Sequence, residues 1–147
     1  MKSFPFNLIL LFVVLLVSTA WEPATKDQFI GTFRLIKATT NSQPNPSQTM
    51  DRLMTFTEEN SFAGDINIPS KGNMPFNQGI YIVENEKQIL MHHSDPNTKE
   101  LYPIAFVYNY SFSGDTLRLN GFYFRQAMEI PNIMQKFFID ECWMRNK

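Results

Sequence analysis

Long and short connections alternate between the predicted β-strands of this chain, and this alternation constrains the fold more than any other feature. Eight segments have the period-two pattern or the β-branched and aromatic content that strands require. The odd-numbered connections between them are long: Thr40–Met50, Asn67–Gln78, Ser94–Tyr102 and Arg125–Met134. The even-numbered connections are short turns: Glu58–Asn60, Asn85–Lys87 and Ser113–Asp115.

Such an alternation predicts a meander with two different ends. Successive connections of an up-and-down sheet fall at opposite ends, so one end carries tight turns and the other carries the long loops. We therefore predict an all-β fold, an eight-stranded antiparallel up-and-down barrel shaped like a cup, preceded by a short helical turn at Thr25 or Asp27. The predicted strands are Phe29–Ala38, Arg52–Phe56, Phe62–Ile66, Gly79–Val83, Gln88–His93, Ile104–Phe112, Thr116–Phe124 and Lys136–Met144.

The first twenty residues have the pattern of a secretory leader. Lys2 supplies the positive start, Phe6–Val17 is apolar except for one asparagine, and Ser18-Thr19-Ala20 offers small residues for cleavage. The apolar run is shorter than the roughly 20 residues that a membrane-spanning helix needs, although an uncleaved anchor is the alternative. We predict a signal peptide at residues 1–20, one domain at residues 21–147, and no membrane association after cleavage.

Charge and cysteine content narrow the possible partners and the compartment. Cleavage removes Lys2 from the 13 basic residues, which leaves 12 against 14 acidic residues and a net charge of 12 − 14 = −2. This balance gives no electrostatic reason to expect nucleic acid or an anionic membrane as a partner. Cys142 is the only cysteine, so no intrachain disulfide can form, whereas small exported eukaryotic domains more often carry one. We therefore expect a bacterial periplasmic or secreted protein.

The third hairpin of the predicted barrel fixes its own register. If Gly114-Asp115 forms the turn, one face has four facing pairs: Phe112–Leu117, Tyr110–Leu119, Tyr108–Gly121 and Phe106–Tyr123. The other face pairs polar residues: Ser111 with Arg118 and Asn109 with Asn120. A slip by one residue would mix the two faces, so this register is favoured and the aromatic row is predicted to face inward.

Two motifs resemble those of a known barrel family. Gly31-Thr32-Phe33 resembles the Gly-x-Trp signature that opens lipocalin and related calycin barrels, and Glu141–Arg145 resembles the end of small bacterial lipocalin-like proteins, many of unknown function. The resemblance spans Phe29–Arg145. It implies that Phe33 takes the place of the signature tryptophan at the closed end, with Arg145 stacked on it. Phe33, Trp143 and Arg145 are then expected to close the base of the cup rather than to contact a ligand.

The sequence offers little that could perform catalysis. His92 and His93 are the only histidines, and adjacent residues on a strand point to opposite faces, so they cannot bind one metal ion together. Asp140 and Glu141 fail as an acid–base pair for the same reason. Cys142 lies beside these acids, which favour an inert, partly buried thiol. We predict no enzyme activity, no metal and no cofactor.

The first functional hypothesis is noncatalytic binding of a small, mostly apolar ligand inside the barrel. The predicted wall consists of Phe106, Tyr108, Tyr110, Leu119 and Tyr123. The hydroxyl groups of the three tyrosines can orient the polar end of a ligand. Apolar residues in the second and fourth long loops are predicted to gate the opening: Met74, Phe76, Met128, Ile130 and Met134. The alternative for the same loop residues is a plug that fills the barrel and leaves no cavity.

The second hypothesis is a plugged barrel that acts through its outer surface. Near the loop end, the outward face of the third hairpin becomes apolar, with Phe122 expected opposite Val107 and Phe124 opposite Ala105. Such a surface predicts a protein-interaction module or a homodimer formed through Phe122 and Phe124. The alternative is that the loop Ala127–Met134 folds over these rings.

Overall fold

The computed structural model describes residues 25–45, 50–95, 97–126 and 134–147. A short 3-10 helix, Lys26–Gln28, precedes nine strands: β1 Gly31–Thr40, β2 Gln43–Pro44, β3 Asp51–Phe56, β4 Ser61–Ile68, β5 Gly72–Asn85, β6 Gln88–Ser94, β7 Leu101–Ser113, β8 Thr116–Gln126 and β9 Met134–Arg145.

The strands form one antiparallel sheet that closes on itself. Their order is β2-β1-β3-β4-β5-β6-β7-β8-β9, and β1 also pairs with β9. This last pairing, from Phe33↔Arg145 to Thr40↔Ile139, joins eight strands into an up-and-down barrel and confirms the predicted fold class. The ninth strand, β2, is a two-residue extension that pairs only with the end of β1.

The register of the β7–β8 hairpin is confirmed where the two strands pair. Tyr110 lies opposite Leu119, Asn109 opposite Asn120, and the ladder runs from Ser113↔Thr116 to Tyr108↔Gly121. Beyond Gly121 the described residues of β7 and β8 form no further pairs, so the expected pairs of Val107 with Phe122 and of Ala105 with Phe124 are wrong. The rings of Phe106 and Tyr123 still approach to 6.4 Å, although these residues are not paired in the ladder.

The predicted long connection Asn67–Gln78 is wrong, because β4 and β5 continue through it. Their ladder extends from Ser61↔Ile80 to Ile68↔Gly72 and leaves a tight turn at residues 69–71. Proline cannot donate to a ladder, so strands usually lack it in their interior. Pro75 lies opposite Asp65 beside a β-bulge, a place where strands tolerate proline.

A compact aromatic cluster fills the end of the barrel that carries the hairpin turns. We call this end the closed half; its core consists of Phe29, Phe33, Phe56, Tyr81, Tyr110, Phe112, Leu117 and Trp143. The 3-10 helix brings Phe29 across the bottom, where its ring centroid lies 5.6 Å from that of Phe56 and 4.8 Å from that of Tyr110. Burying such rings at ~25 cal/mol per Å² stabilises the fold by several kcal/mol each.

Arg145 fastens the 3-10 helix to the base of the barrel. Its guanidinium group lies 4.6 Å from the centroid of the Phe33 ring, as the family resemblance implied. Its two terminal nitrogens donate hydrogen bonds of 2.6 Å to the carbonyl oxygens of Ile30 and Gln28. The contact combines a cation–π attraction with two charge-assisted hydrogen bonds, so it holds the helix against the closed half.

Candidate ligand cavity

The other end of the barrel, which we call the open half, encloses a cavity of about 600 Å³. All eight barrel strands contribute to its wall. The lining surface is mainly apolar, with contributions from Met54, Phe76, Met91, Phe106, Leu119 and Ile139. Nine polar or charged residues also line it: Thr40, Asn45, Arg52, Asn77, His93, Tyr102, Tyr108, Tyr123 and Glu141.

The inward rows of β3 and β9 show how the cavity arises from the sequence. Side chains two residues apart share a face, so Phe56, Met54 and Arg52 point inward in turn toward the open end. Along β9 the corresponding row begins with Trp143 and continues to Glu141 and Ile139. In both rows an aromatic ring gives way to a charged residue within two to four positions. The barrel is therefore filled below and carries above a mainly apolar cavity with charged groups in its wall.

A buried ion pair lies at the floor of the cavity. Nη1 of Arg52 donates to Oε1 of Glu141 at 3.3 Å, and Nε1 of Trp143 donates to Oε2 of the same carboxylate at 3.1 Å. The guanidinium carbon lies 4.4 Å from the ring centroid of Phe76 and 5.3 Å from that of Trp143. Burial raises the pKa of Glu141, while Arg52 and Trp143 oppose the rise. Both oxygens of the carboxylate are engaged by protein donors.

Tyr108 adds a neutral hydroxyl group beside this pair. Burial raises the pKa of Tyr108 well above its usual range, and the negative charge of Glu141 adds to the rise. The phenol therefore stays protonated at every physiological pH and keeps a hydrogen to donate. Tyr123, the second cavity tyrosine, stacks its ring on Phe137 at 5.4 Å.

His93 faces the cavity as a neutral imidazole. Its ring lies 5.2 Å from the rings of Phe62 and Phe106, with an edge-on geometry to each. Burial lowers the pKa of His93 to about 4, so the side chain carries no charge at neutral pH. His92 lies opposite the exposed Ile80 on the outer face, which confirms that the two histidines point to opposite sides.

The bulge in β5 places two consecutive residues in the cavity wall. Asn77 pairs with Gly64 and Pro75 pairs with Asp65, so Phe76 is the extra residue between them. A side chain at Gly64 would collide with the Asn77 amide and would lie 2.6 Å from the Phe76 ring, so glycine is required there. Oδ1 of Asn77 is buried and makes no hydrogen bond to the residues that the structure describes.

The predicted site residues fall into three groups. Phe76, Phe106, Tyr108, Leu119 and Tyr123 line the cavity as expected. Tyr110 does not: its ring packs on Phe29 and its hydroxyl donates to the carbonyl of Asn85 at 2.9 Å, because one further inward position along β7 already lies in the closed half. Met74 and Met134 are 39% and 50% exposed and do not line the cavity, and Met128 and Ile130 lie outside the described residues.

Sequence reasoning missed the charged members of the site. Arg52, Glu141 and His93 each stand in register with inward apolar residues two positions away, which is the signal that could have found them. Asn77 gave no such signal, because it falls in the predicted long connection Asn67–Gln78 rather than in a predicted strand. A charged residue on the apolar face of a strand should therefore be read as a candidate cavity group.

The outer surface near the end of the β7–β8 ladder is apolar. Phe122 is 47% exposed, with Nζ of Lys136 3.8 Å from its ring centroid and the Phe138 ring at 5.2 Å. Phe124 is 40% exposed and also lines the opening of the cavity. On β7 Val107 is also exposed, at 47%. The two phenylalanines named from the sequence are therefore exposed apolar side chains close to the end of this ladder.

No protein-family model and no curated protein sequence matches this chain. Among the described ranges, no group of three or more His, Cys, Asp or Glu side chains could hold a metal ion. The part of the chain that the structure covers contains no helix long and apolar enough to cross a membrane. The predicted leader at residues 1–20 lies outside that part.

Proposed function

We propose that this protein binds a small, mostly apolar molecule in the open half of the barrel, without catalysis. The observation that carries the proposal is the cavity of about 600 Å³, whose wall is mainly apolar with a few convergent polar groups. Ligand pockets of roughly 300–1,000 Å³ with this composition are typical of small-molecule sites. The deep side of the cavity is sealed by the aromatic closed half, so a ligand enters from the end of the barrel opposite the hairpin turns.

The hydrogen bonds of Glu141 and the burial of His93 support ligand binding rather than catalysis. Each oxygen of Glu141 already accepts a hydrogen bond from the protein. His93 is packed between two rings, and burial lowers its pKa to about 4. A general base is most effective when its pKa lies near the working pH, and a nucleophile needs such a base. These groups are therefore suited to orienting a ligand.

A titration with the neutral, environment-sensitive dye N-phenylnaphthylamine tests the proposal. We expect saturable fluorescence enhancement in the wild-type protein. Leu119→Trp places a larger side chain in the cavity and should weaken dye binding at least about tenfold, equivalent to about 1.4 kcal/mol. Asn120→Trp, the neighbouring outward position, is the matched control and should bind the dye as the wild type does.

Native mass spectrometry of protein from its own host provides an independent measurement. An additional mass that is lost on denaturation would support a bound ligand and give its formula. If the folded wild-type protein neither enhances the dye nor carries such a mass, the cavity does not serve ligand binding and the proposal fails.

A second candidate function rests on the apolar patch around Phe122. We propose as the alternative that two copies of the chain associate through this patch, where the β7–β8 ladder ends and Val107, Phe122 and Phe124 are exposed. Light scattering coupled to size exclusion would then give twice the monomer mass, and Phe122→Asp would return it to one. Ile36→Asp, an exposed apolar position on β1, is the control that should leave the dimer intact. A wild-type monomer at high concentration would rule this candidate out.

We further propose that the protein is exported by a leader at residues 1–20 and is related to small bacterial lipocalin-like proteins. The apolar run Phe6–Val17 supports export, and the stacking of Arg145 on Phe33 supports the kinship. Sequencing the N-terminus of the protein from its own host tests the first part. Cleavage near Ala20 is the expected result, and an intact start at Met1 would contradict it.

A further inference from the structure

We propose that the ligand is electrically neutral and carries at least one hydrogen-bond acceptor, with its polar end near Arg52, Glu141 and Tyr108. This inference rests on the proposed binding function and adds the chemical class of the ligand. It follows from the way in which the charges of the cavity are already paired.

The charges of the cavity cancel one another. Among its described lining residues, the cationic and anionic side chains are Arg52 and Glu141, joined at 3.3 Å. The imidazole of His93 and the phenol of Tyr108 are uncharged at neutral pH. A carboxylate or ammonium group on a ligand would leave water without gaining an opposite charge of its own, which costs several kcal/mol per ion.

The ion pair is also held in place, so it cannot easily open for a charged ligand. The Arg52 guanidinium lies between the rings of Phe76 and Trp143, and Trp143 holds the second oxygen of Glu141. An anionic ligand would have to draw Arg52 away from Glu141 and leave that carboxylate buried beside it. A cationic ligand would have to draw Glu141 from both of its donors. Either displacement leaves a buried charge uncompensated.

The polar groups beside the ion pair favour a ligand that carries a hydrogen-bond acceptor. The Tyr108 hydroxyl lines the cavity, keeps its proton and can donate to a ligand oxygen. An alcohol or a primary amide supplies that oxygen without a charge, while a pure hydrocarbon does not. The apolar wall of Met54, Met91 and Leu119 then accommodates the rest of the molecule.

A series of probes with the same alkyl chain tests the charge requirement. Dodecanol, dodecanoate and dodecylammonium compete at neutral pH, below their micellar concentrations, with N-phenylnaphthylamine. We expect dodecanol to displace the dye at a concentration at least about tenfold lower than either charged analogue. Decane, which lacks a polar group, is expected to compete less well than decanol by a similar factor.

Removing one charge should reverse the preference. Glu141→Gln leaves the guanidinium without a counter-charge, and its single amide oxygen can accept in place of only one of the two carboxylate oxygens, so dodecanoate should become the better competitor. Asp140→Asn is the matched control, since Asp140 pairs with Arg118 on the outer face and should leave the ranking unchanged. If Glu141→Gln is unstable, a rise in its unfolding temperature with dodecanoate, and not with dodecanol, reports the same reversal.

The outcomes separate this inference from the proposed function. Dye binding with dodecanol as the best competitor supports both. Dye binding with dodecanoate or dodecylammonium as the best wild-type competitor overturns the neutral ligand and leaves the binding function standing. A folded Glu141→Gln protein that still prefers dodecanol also overturns the inference. Absence of dye binding and of any competition by the probes overturns the binding function together with it.

Discussion

The closed and open halves of the barrel are built from the same strands, yet the residues at their inward-facing positions have different roles. In the closed half, Phe29 is fully buried and its ring packs against four other rings. In the open half, the corresponding rows of β3 and β9 carry Arg52 and Glu141 around a cavity. The closed half therefore supplies stability, while the open half keeps polar groups and empty space that cost stability.

This division suggests how one small barrel can hold a ligand site without losing its fold. A cavity forgoes the dispersion contacts of a filled core, and a buried ion pair is often no more stabilising than apolar residues of the same volume. The ring cluster and the Arg145 contacts compensate at the other end. Substitutions in the two halves should then differ in size and in what they affect.

The largest effect should come from emptying the closed half. Phe29→Ala removes a ring that contacts Phe56, Tyr81, Tyr110 and Phe112, and should lower the free energy of unfolding by about 3–5 kcal/mol. Phe106→Ala enlarges a cavity that already exists, so its cost should be below about 2 kcal/mol, while dye binding weakens. Urea unfolding measures both. Equal losses would show that the two halves do not differ in stability.

Breaking the buried ion pair should have the next largest effect. Arg52→Met leaves the Glu141 carboxylate buried beside apolar groups and should lower the free energy of unfolding by about 3 kcal/mol. Replacing both partners, as Arg52→Met with Glu141→Leu, should recover most of that loss. The double variant should also lose its preference for a polar ligand end. If it is as unstable as the single variant, the pair contributes net stability and the open half is not the weaker one.

A fall in pH should lower the free energy of unfolding through the protonation of His93 in the open half. Its pKa is about 4 in the folded protein against 6.5 when unfolded, so the unfolded chain takes up the proton first. Its contribution to stability is complete above pH 6.5 and falls by about 2–3 kcal/mol as the pH drops to 4. Glu141 acts with the opposite sign, because its raised pKa makes protonation favour the folded state.

The control for this pH dependence is His93→Gln, compared by urea unfolding at several pH values between 4 and 7. The difference in unfolding free energy between wild type and variant should change across this window. Glu141 opposes the pH dependence in both proteins, so its contribution cancels in the difference. A difference that stays constant with pH would mean that His93 is not held neutral by burial.

The smallest effect should come from the outer wall. Arg118 and Asp140 form a two-point ion pair with distances of 2.8 and 2.6 Å on the outer surface. Exposed pairs of this kind contribute between about 0 and 1 kcal/mol, so Arg118→Ala should change the unfolding free energy by less than 1 kcal/mol. High salt should reduce even that difference. A loss as large as that of Phe106→Ala would show that the outer wall matters as much as the cavity wall.

The parts of the fold that depend on residues close together in the sequence could be predicted. The β7–β8 register followed from the separation of aromatic and polar faces, and the pairing of Tyr108 with Gly121 is present in the structure. The stacking of Arg145 on Phe33 followed from a family resemblance rather than from spacing. The path of Asn67–Gln78 could not be predicted, because Pro75 is compatible with a strand only beside the bulge opposite Gly64 and Asp65.

The sequence by itself determined an alternation of strands and turns, an antiparallel order and the register of one hairpin, since side-chain periodicity is a property of consecutive residues. Only the tertiary structure decided that Arg52 meets Glu141 across 89 residues of chain. It also decided that Tyr110 belongs to the closed half and that Phe76 and Asn77 share the cavity wall. Those contacts depend on how the sheet curves and closes between β1 and β9, and no local pattern contains that information.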